Sequence, residues 1–482
     1  VNLFEPKDFL PLPLDGLFIE FYACSLYDVY YIKLLQFSAI NHEHYALKIS
    51  MQNYLHDSLL GYTFIMATES LSQELIRRGF ANQTTFKKMQ DIDETKRTFY
   101  LGVDPSAASM TIGNLASIMM VRAFIRHGHS AFLLIGGATG MIGDPDGKTE
   151  ERELKSIDEI ESNKKAITGQ YKTILGNLPF EVVDNYSWFK DLHYLTFLRD
   201  IGKRVPMRQM LGRDFVNKRL SADGMGISYA EFSYVLIQAY DFLHLHKEKN
   251  VTLQICGSDQ WGNAIAGVDL IRRVTGDEAH IWSAPLVVNK STGVKFGKSE
   301  AGAIWLNPNM TSPYQFYQFW LNVDDAGVND YLNIYTELSE NDINAVMFAF
   351  NKDKSGRAAQ KMLAYEVTKL IHGKKTADSV KKISEALFGI APFETLVKND
   401  FSELIRELGI VKVQKDASLV DTIVSAQLAS SKGEARRFIE AGAIYINGTQ
   451  ATSGFTKLRK DVFIHDHLVL RRGKNSQTVI AI

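Results

Sequence analysis

Between residues 98 and 135 the chain spells out a strand, a helix and a second strand, and no other stretch constrains the fold as tightly. TFYLGV (Thr98 to Val103) is an apolar run of strand length. A helix opens near Gly113, carries Leu115, Ile118, Met119, Val121 and Phe124 at helical spacing, and closes at Gly128. SAFLLI (Ser130 to Ile135) is the second strand. Two strands joined by a helix within about 35 residues lie parallel, and a parallel sheet needs helices on both faces. The alternation resumes with VTLQIC, a helix over AIAGVDLIRRV, and IWSAPLVV, ending near Asn289. The pattern predicts an α/β fold with a Rossmann-type doubly wound parallel sheet over residues 66–290, carrying a helical insertion at about 191–245.

Beyond Thr311 the texture turns helical. Ser312 and Pro313 are an N-cap followed by a first-turn proline, and Ser339, Arg357 and Thr376 open three further amphipathic runs. A helical domain is expected over 304–392, reached through a loop at 291–303, with a linker at 393–412 where the pattern loosens. The tail is chemically different. From Val411 onward eleven Lys and Arg face six acids, so +5, against −1 for the whole chain and therefore −6 elsewhere. Ser431 and Glu434 form a capping box, a short strand AIYI follows, and Asn447-Gly448 is a hairpin pair. A compact basic α+β module over 413–482 suits RNA or another polyanion, with Lys432, Arg436, Arg437, Arg471 and Arg472 as candidate contacts.

Charge balance elsewhere gives no general case for nucleic acid or membrane. Two cysteines, Cys24 and Cys256, exclude a disulfide scaffold and a Cys-rich zinc site, and suit a reducing compartment. Residues 1–65 hold 13 Phe and Tyr, three Lys and no Arg. Their apolar run is interrupted by Glu20, Asp28 and Lys33, so no membrane span is expected, and neither a signal nor a transit peptide fits. They are expected to be a non-native extension ahead of Met66, and the chain to be cytoplasmic rather than organellar.

Four segments fall where strands end and helices begin, the place where open parallel sheets bind ligands. They are GVDPSAASMTIGN (Gly102 to Asn114), GGATGMIGDPDGKTEER (Gly136 to Arg152), QICGSDQWGN (Gln254 to Asn263) and KFGKS (Lys295 to Ser299). Glycine-rich turns at helix N-termini offer backbone N–H groups to phosphate. The second segment is not a P-loop, because three residues rather than four separate Gly143 from Gly147. With EFSYVLIQAYDF (Glu231 to Phe242), GDPDGK, GSDQWGN, KFGKS and the basic tail, the chain from Met66 onward closely resembles the bacterial-type tyrosyl-tRNA synthetases, class I enzymes with an S4-like C-terminal domain.

That resemblance implies a tyrosine–tRNA ligase working on L-tyrosine, ATP and tRNA(Tyr) as a homodimer joined through the inserted helices. Mg²⁺ would accompany ATP as counter-ion, without a dedicated protein-bound metal. Tyr100 and Asp241 would take the substrate phenol, and Asp144, Tyr234 and Gln238, with Gln260 nearby, its ammonium group. Gly102, Asp104, Gly113, Gly257, Asp259 and Lys298 would hold ATP. Ser106, Thr111, Asn114, Lys148, Arg152, Lys295, Lys298 and Ser299 would act on the phosphates, the last three on the mobile loop. Such a reaction needs positioning and charge neutralisation, and no covalent enzyme intermediate.

One position departs from the family. The first signature usually reads His-Ile-Gly-His, and here it is Thr111-Ile112-Gly113-Asn114. Ser106 and Thr111 are expected to supply hydroxyl donors to the γ-phosphate; the alternative is an RNA-binding relative with weak or no aminoacylation. His244 and His246 are two apart on a helix and point to different faces, so neither is expected to bind metal. Cys256 is expected to pack as a small residue.

Overall fold

The computed structural model describes residues 69–482 except 146–154, 213, 222, 223, 225, 295, 297, 300, 301, 453, 474 and 475. The expectations for residues 1–65, Lys148, Arg152 and Lys295 lie outside them. Strands β1 (Gln83–Thr84), β2 (Thr98–Val103), β3 (Ser130–Ile135), β4 (Glu181–Asp184), β5 (Leu253–Gly257) and β6 (His280–Ala284) form one sheet in the order β1-β6-β5-β2-β3-β4. All neighbours pair parallel except β1 with β6. Both strands of the opening βαβ unit have the expected bounds, because each is an apolar run buried on both faces.

Helices α1 (Leu71–Arg77), α2 (Ile112–Arg126), α3 (Thr139–Ile142) and α4 (Ile157–Leu175) come first. Helices α5 (Tyr186–Phe189), α6 (Tyr194–Asp200), α7 (Met207–Leu211), α8 (Asp214–Leu220), α9 (Tyr229–Lys249) and α10 (Trp261–Val274) follow. Leu115, Ile118, Val121 and Phe124 of α2 join Phe99, Leu133 and Trp282 in one apolar cluster. On the other face Phe242 of α9 and Leu270 of α10 pack with Tyr100 and Phe132. The sheet is therefore covered twice, as the apolar strands require. The expected insertion boundary near 245 falls inside α9, whose Val235, Ala239 and Phe242 belong to this second core.

Short strands β7 (Lys298–Ser299) and β8 (Gly302–Ala303) pair antiparallel ahead of the helical domain. That domain comprises α11 (Pro313–Leu321), α12 (Val328–Tyr335), α13 (Glu340–Lys352), α14 (Ala358–His372) and α15 (Lys374–Leu387). Ser312 caps α11 by accepting from the Gln315 N–H (3.1 Å), with Pro313 in its first turn. Trp320, Tyr335 and Val367 continue the cluster that contains Phe124, so this domain shares a core with the parallel sheet.

The segment read as a linker is structured. It carries α16 (Lys398–Leu408) and β9 (Ile410–Lys412), and Phe401 and Leu404 are buried at helical spacing. The Asp400 carboxylate accepts the Val397 N–H at 2.9 Å and starts that helix. The tail adds α17 (Leu419–Ser425), α18 (Lys432–Glu440), β10 (Ile444–Ile446), β11 (Thr449–Gln450), β12 (His467–Arg472) and β13 (Ser476–Ala481). Its sheet runs β11-β10-β12-β13-β9, so the expected boundary at 413 cuts off the parallel edge strand β9. Asn447 and Gly448 both have positive φ (46° and 78°), as a tight hairpin between β10 and β11 demands.

A buried ionic cluster ties α1 and α2 to the end of α12. The Glu74 carboxylate accepts from Arg78 (2.9 Å), Arg126 (2.6 Å) and His127 (2.8 Å). Arg78 also donates to the carbonyls of Asn333 (2.9 Å), Ile334 (3.2 Å) and Thr336 (3.0 Å). Burial opposes ionisation of Glu74, but Arg126 and Arg78 outweigh it and hold the carboxyl down to about 2. A folded-state value below the ordinary 4.5 means that Glu74 contributes stability above pH 4.5 and loses it between there and about 2. Glu74→Gln, which leaves Arg78 buried without its anion, should cost about 3 kcal/mol in urea unfolding at neutral pH. The gap from wild type should close as pH falls below 4.5, and a gap independent of pH would contradict this role.

Candidate active site

Strands β2 and β5 are adjacent, yet the chain leaves β2 toward β3 on one side and β5 toward β6 on the other. That reversal opens a crevice at their C-terminal ends. Asp104 lies just past β2; Gly257, Asp259 and Gln260 end or follow β5; Asn185 follows β4. From α9 come Tyr234, Gln238 and Asp241, whose spacing of four and three residues puts them on one helix face.

A continuous hydrogen-bond chain crosses this crevice. Tyr234 Oη donates to Asp104 Oδ2 (2.8 Å), and Thr139 Oγ1 donates to Asp104 Oδ1 (2.6 Å). Asn185 Nδ2 donates to Thr139 Oγ1 and to Asp241 Oδ2, both at 3.1 Å. Trp188 Nε1 donates to Asp241 Oδ1 at 2.9 Å. The Ala138 N–H fixes the amide by donating to Asn185 Oδ1 (2.7 Å). A side chain at Gly136 would collide with Thr139 Oγ1 and Asp104 Oδ1, so that glycine keeps the crossing open.

Asp241 is 1% exposed. Burial pushes its carboxyl up to about 8, against the pull of the Asn185 and Trp188 donors and with a further push from Asp104 and Asp184. Tyr100 is equally buried, against the Phe242 ring (5.2 Å), and its hydroxyl has no hydrogen-bond partner among the described residues. Burial first and Asp241 second raise its pKa, so it stays a neutral phenol. A buried hydroxyl left unpaired costs about 1–3 kcal/mol, a penalty that a ligand carrying a hydroxyl into this corner removes.

Toward the other end Gln260 Nε2 donates to Asp144 Oδ2 (2.5 Å), and Asn263 Nδ2 donates to Gln260 Oε1 (3.0 Å). Gln238 Oε1 is buried with no partner among the described residues, an acceptor suited to an ammonium group. Gly102 and Ser106 are exposed at the mouth. A Cβ on Gly257 would stand 2.7 Å from Asp259 Oδ1, so a side chain there would have to displace that carboxylate.

Gly113 lies in the first turn of α2, directly after Thr111 and Ile112. Thr111 Oγ1 donates to Asn114 Oδ1 (3.0 Å) and accepts from the Trp305 N–H (3.0 Å). Ile112 N donates to Ile304 O (3.1 Å) and Leu306 N to Met110 O (2.9 Å). The first signature is thus laced to the strand-like segment that follows β8. The Thr111 hydrogen is committed to Asn114, which leaves the Asn114 amide N–H groups as donors at the helix N-terminus.

Of the phosphate-directed residues, Lys148, Arg152 and Lys295 lie outside the described residues, and only the backbone of Lys298 and Ser299, strand β7, is described. On the tail, Arg436 and Arg437 are exposed on α18, Lys432 pairs with Asp421 (2.7 Å), and Arg471 lies over the Tyr445 ring (4.3 Å). Arg472 is tied inward to the Leu428 carbonyl (2.7 Å). His244 stacks on Trp188 (4.4 Å), while His246 bonds Val251 O and Asp277. Cys256 is buried, and burial pushes its thiol well up. Sequence reading missed Thr139, Asn185, Trp188 and Asn263. Asn185 had one usable signal, its place just past a strand end; nothing marks Trp188 before the fold is known.

Residues 93–389 match the family "tRNA synthetases class I (W and Y)", and residues 400–480 match "Tyrosine--tRNA ligase SYY-like C-terminal domain". A tyrosine–tRNA ligase of Rhodopirellula baltica is 39% identical over 86% of this chain and 97% of its own. That of Geobacillus kaustophilus is 41% identical over 85% and 99%. Among solved structures, a C-terminally truncated mitochondrial tyrosyl-tRNA synthetase of Aspergillus nidulans superposes with TM-score 0.61 at 30% identity, over 67% of this chain and 95% of that one. Its counterpart from Coccidioides posadasii gives 0.58 at 29%, over 71% and 98%.

Trp188→Phe keeps the ring on His244 and deletes one donor to Asp241. It should raise the dissociation constant of L-tyrosine, the ligand implied by the sequence resemblance, about tenfold in calorimetry. Unchanged affinity would show that the Trp188 N–H does not support this pocket.

Proposed function

Because the chain belongs to the tyrosyl-tRNA synthetase family, we propose that it activates L-tyrosine with ATP and transfers it to the 3′ end of tRNA(Tyr). The observation that carries this reading is the buried Asp241 carboxyl, held by Asn185 and Trp188, with the unpaired Tyr100 hydroxyl in the same core. The substrate phenol pairs with both. Below about pH 8 Asp241 has an O–H to donate to the phenol oxygen, and above it the carboxylate accepts the phenol hydrogen. Gln238 Oε1, Tyr234 and Asp144, with Gln260 beside it, receive the substrate ammonium. The tyrosine carboxylate is then aimed at the crevice mouth.

There ATP lies over Gly102 and Gly113, with its ribose toward Asp259 and the Gly257 backbone, close to Asp104. Mg²⁺ enters with the nucleotide as its counter-ion. A carboxylate oxygen attacks the α-phosphorus, the bond to the β-phosphate oxygen breaks, and pyrophosphate leaves. Ser106, the Asn114 amide and the α2 N-terminus stabilise the charge on the phosphates, with Lys148, Arg152, Lys295, Lys298 and Ser299 as their cationic and hydroxyl partners. Thr111 serves this step as a brace for Asn114 and Trp305 rather than as a γ-phosphate donor. In the second step the 3′-terminal ribose hydroxyl of tRNA attacks the acyl carbon and AMP departs.

Arg436 and Arg437, exposed on α18, support RNA binding by the tail, together with Lys432 and the stacked Arg471. Leu195 (77% exposed), Tyr229 (62%) and Tyr194 (59%) give the inserted helices an apolar surface that a C₂ homodimer would cover. Among the described residues no helix is long and apolar enough to cross a membrane, and bacterial relatives support a cytoplasmic site of action. The purified full chain should catalyse tyrosine-dependent ATP–pyrophosphate exchange. No exchange at millimolar tyrosine and ATP would favour instead an RNA-binding relative that has lost activation.

A further inference from the structure

Phe296 occupies the second position of the KFGKS loop, between Lys295 and Lys298, yet it is only 6% exposed. Its ring stacks on Tyr331 with centroids 4.3 Å apart and planes 24° from parallel. Phe319 lies at 5.3 Å, Trp320 at 5.7 Å and Tyr335 at 6.0 Å. All four partners belong to α11 and α12, so one residue of a catalytic-site loop is seated in an aromatic box of the helical domain. The box is fastened to the chain entering the loop: the Phe296 N–H donates to Val287 O (2.9 Å), and Tyr331 Oη donates to Val288 O (3.2 Å).

The far side of the loop is fixed as well. Strand β7, which contains Lys298, pairs with β8, and β8 leads into Ile304, Trp305 and Leu306, which are bonded to Met110, Thr111 and Ile112. Within the described residues, Phe296 is therefore held by an apolar anchor in the helical domain, and the chain that follows β8 is held by the first signature. A loop that needs glycines and lysines for its chemistry has no chemical need for a phenyl ring at its second position. The ring's burial and four aromatic neighbours give it a mechanical one.

We propose that Phe296 is a positioning residue for tyrosine activation, its ring fixing where the Lys298-bearing segment leaves the helical domain. This rests on the activation reading given above. An anchored loop has less order to acquire when the phosphates are transferred, so the anchor acts on turnover more than on substrate affinity.

In the full chain, Phe296→Ala should lower kcat for pyrophosphate exchange about a hundredfold, the scale of a misplaced catalytic segment. The dissociation constant of L-tyrosine, measured by calorimetry, should stay within about twofold, and KM for ATP within about threefold. Phe296→Leu, which refills most of the volume without the flat stack, should recover about tenfold of the lost kcat and so stay about tenfold below wild type, and it stands in if the alanine variant does not fold. Phe296→Ala with kcat within about threefold of wild type would overturn the proposal, as would a loss of tyrosine affinity as large as the loss of turnover. Where only Phe296→Leu folds, wild-type turnover in that variant overturns it. A wild-type chain with no exchange would instead sink the activation reading itself, which keeps the two failures distinct.

Discussion

A carboxyl group placed where water cannot reach it anchors the hydrogen-bond network of the crevice. Asp241 is held on both oxygens by N–H donors from Asn185 and Trp188, and burial still pushes its pKa to about 8. Such a group is costly unless something else uses it. The same amide that holds Asp241 also holds Thr139, and Thr139 holds Asp104, which in turn receives the Tyr234 hydroxyl. One connected network thus spans the ends of β2, β3 and β4 and one face of α9. Thr139 Oγ1 and Asp104 Oδ1 of this network crowd Gly136 so closely that no side chain fits there without breaking it.

The second organising constraint is the lacing of the two signature segments. The Thr111 hydroxyl, sited where the family usually has histidine, bridges Asn114 and the Trp305 N–H. A histidine there would carry a ring donor farther out; a threonine is short enough to serve the backbone beside it. The observed hydroxyl is thus a brace between the first signature and the segment that follows β8, while Phe296 packs against the helical domain. The Glu74 cluster works at the same joint, since Arg78 binds the carbonyls at the end of α12, the helix that also supplies Tyr331. Catalytic sheet and helical domain meet through a common apolar core, an ionic cluster and a loop anchor.

Much of this was legible in the residues, and the reasons are physical. TFYLGV and SAFLLI declare themselves because strands buried on both faces must be continuously apolar. Asn447-Gly448 declares a hairpin because both positions need positive φ. Segment 393–412 reads as loose because its strand has only three residues and its helix packs on partners distant in sequence such as Val479. The contacts of Asn185 and Trp188 with Asp241 escape the sequence for the same reason: 53 or more residues separate the partners, and no local pattern records a contact of that range. The commitment of the Thr111 hydroxyl likewise depends on Trp305, which only the fold brings near.

If Asp241 and Tyr100 form a corner built for a phenolic hydroxyl, the decisive measurement is equilibrium binding of L-tyrosine and L-phenylalanine to the full chain by calorimetry. The two ligands differ by the one atom that this corner addresses. With phenylalanine the Tyr100 hydroxyl stays unpaired and Asp241 gains no bond to a phenol, which should weaken binding by about a hundredfold relative to tyrosine. Affinities within about threefold of each other would mean that the buried pair does not read the hydroxyl, and the assignment of this pocket would fall.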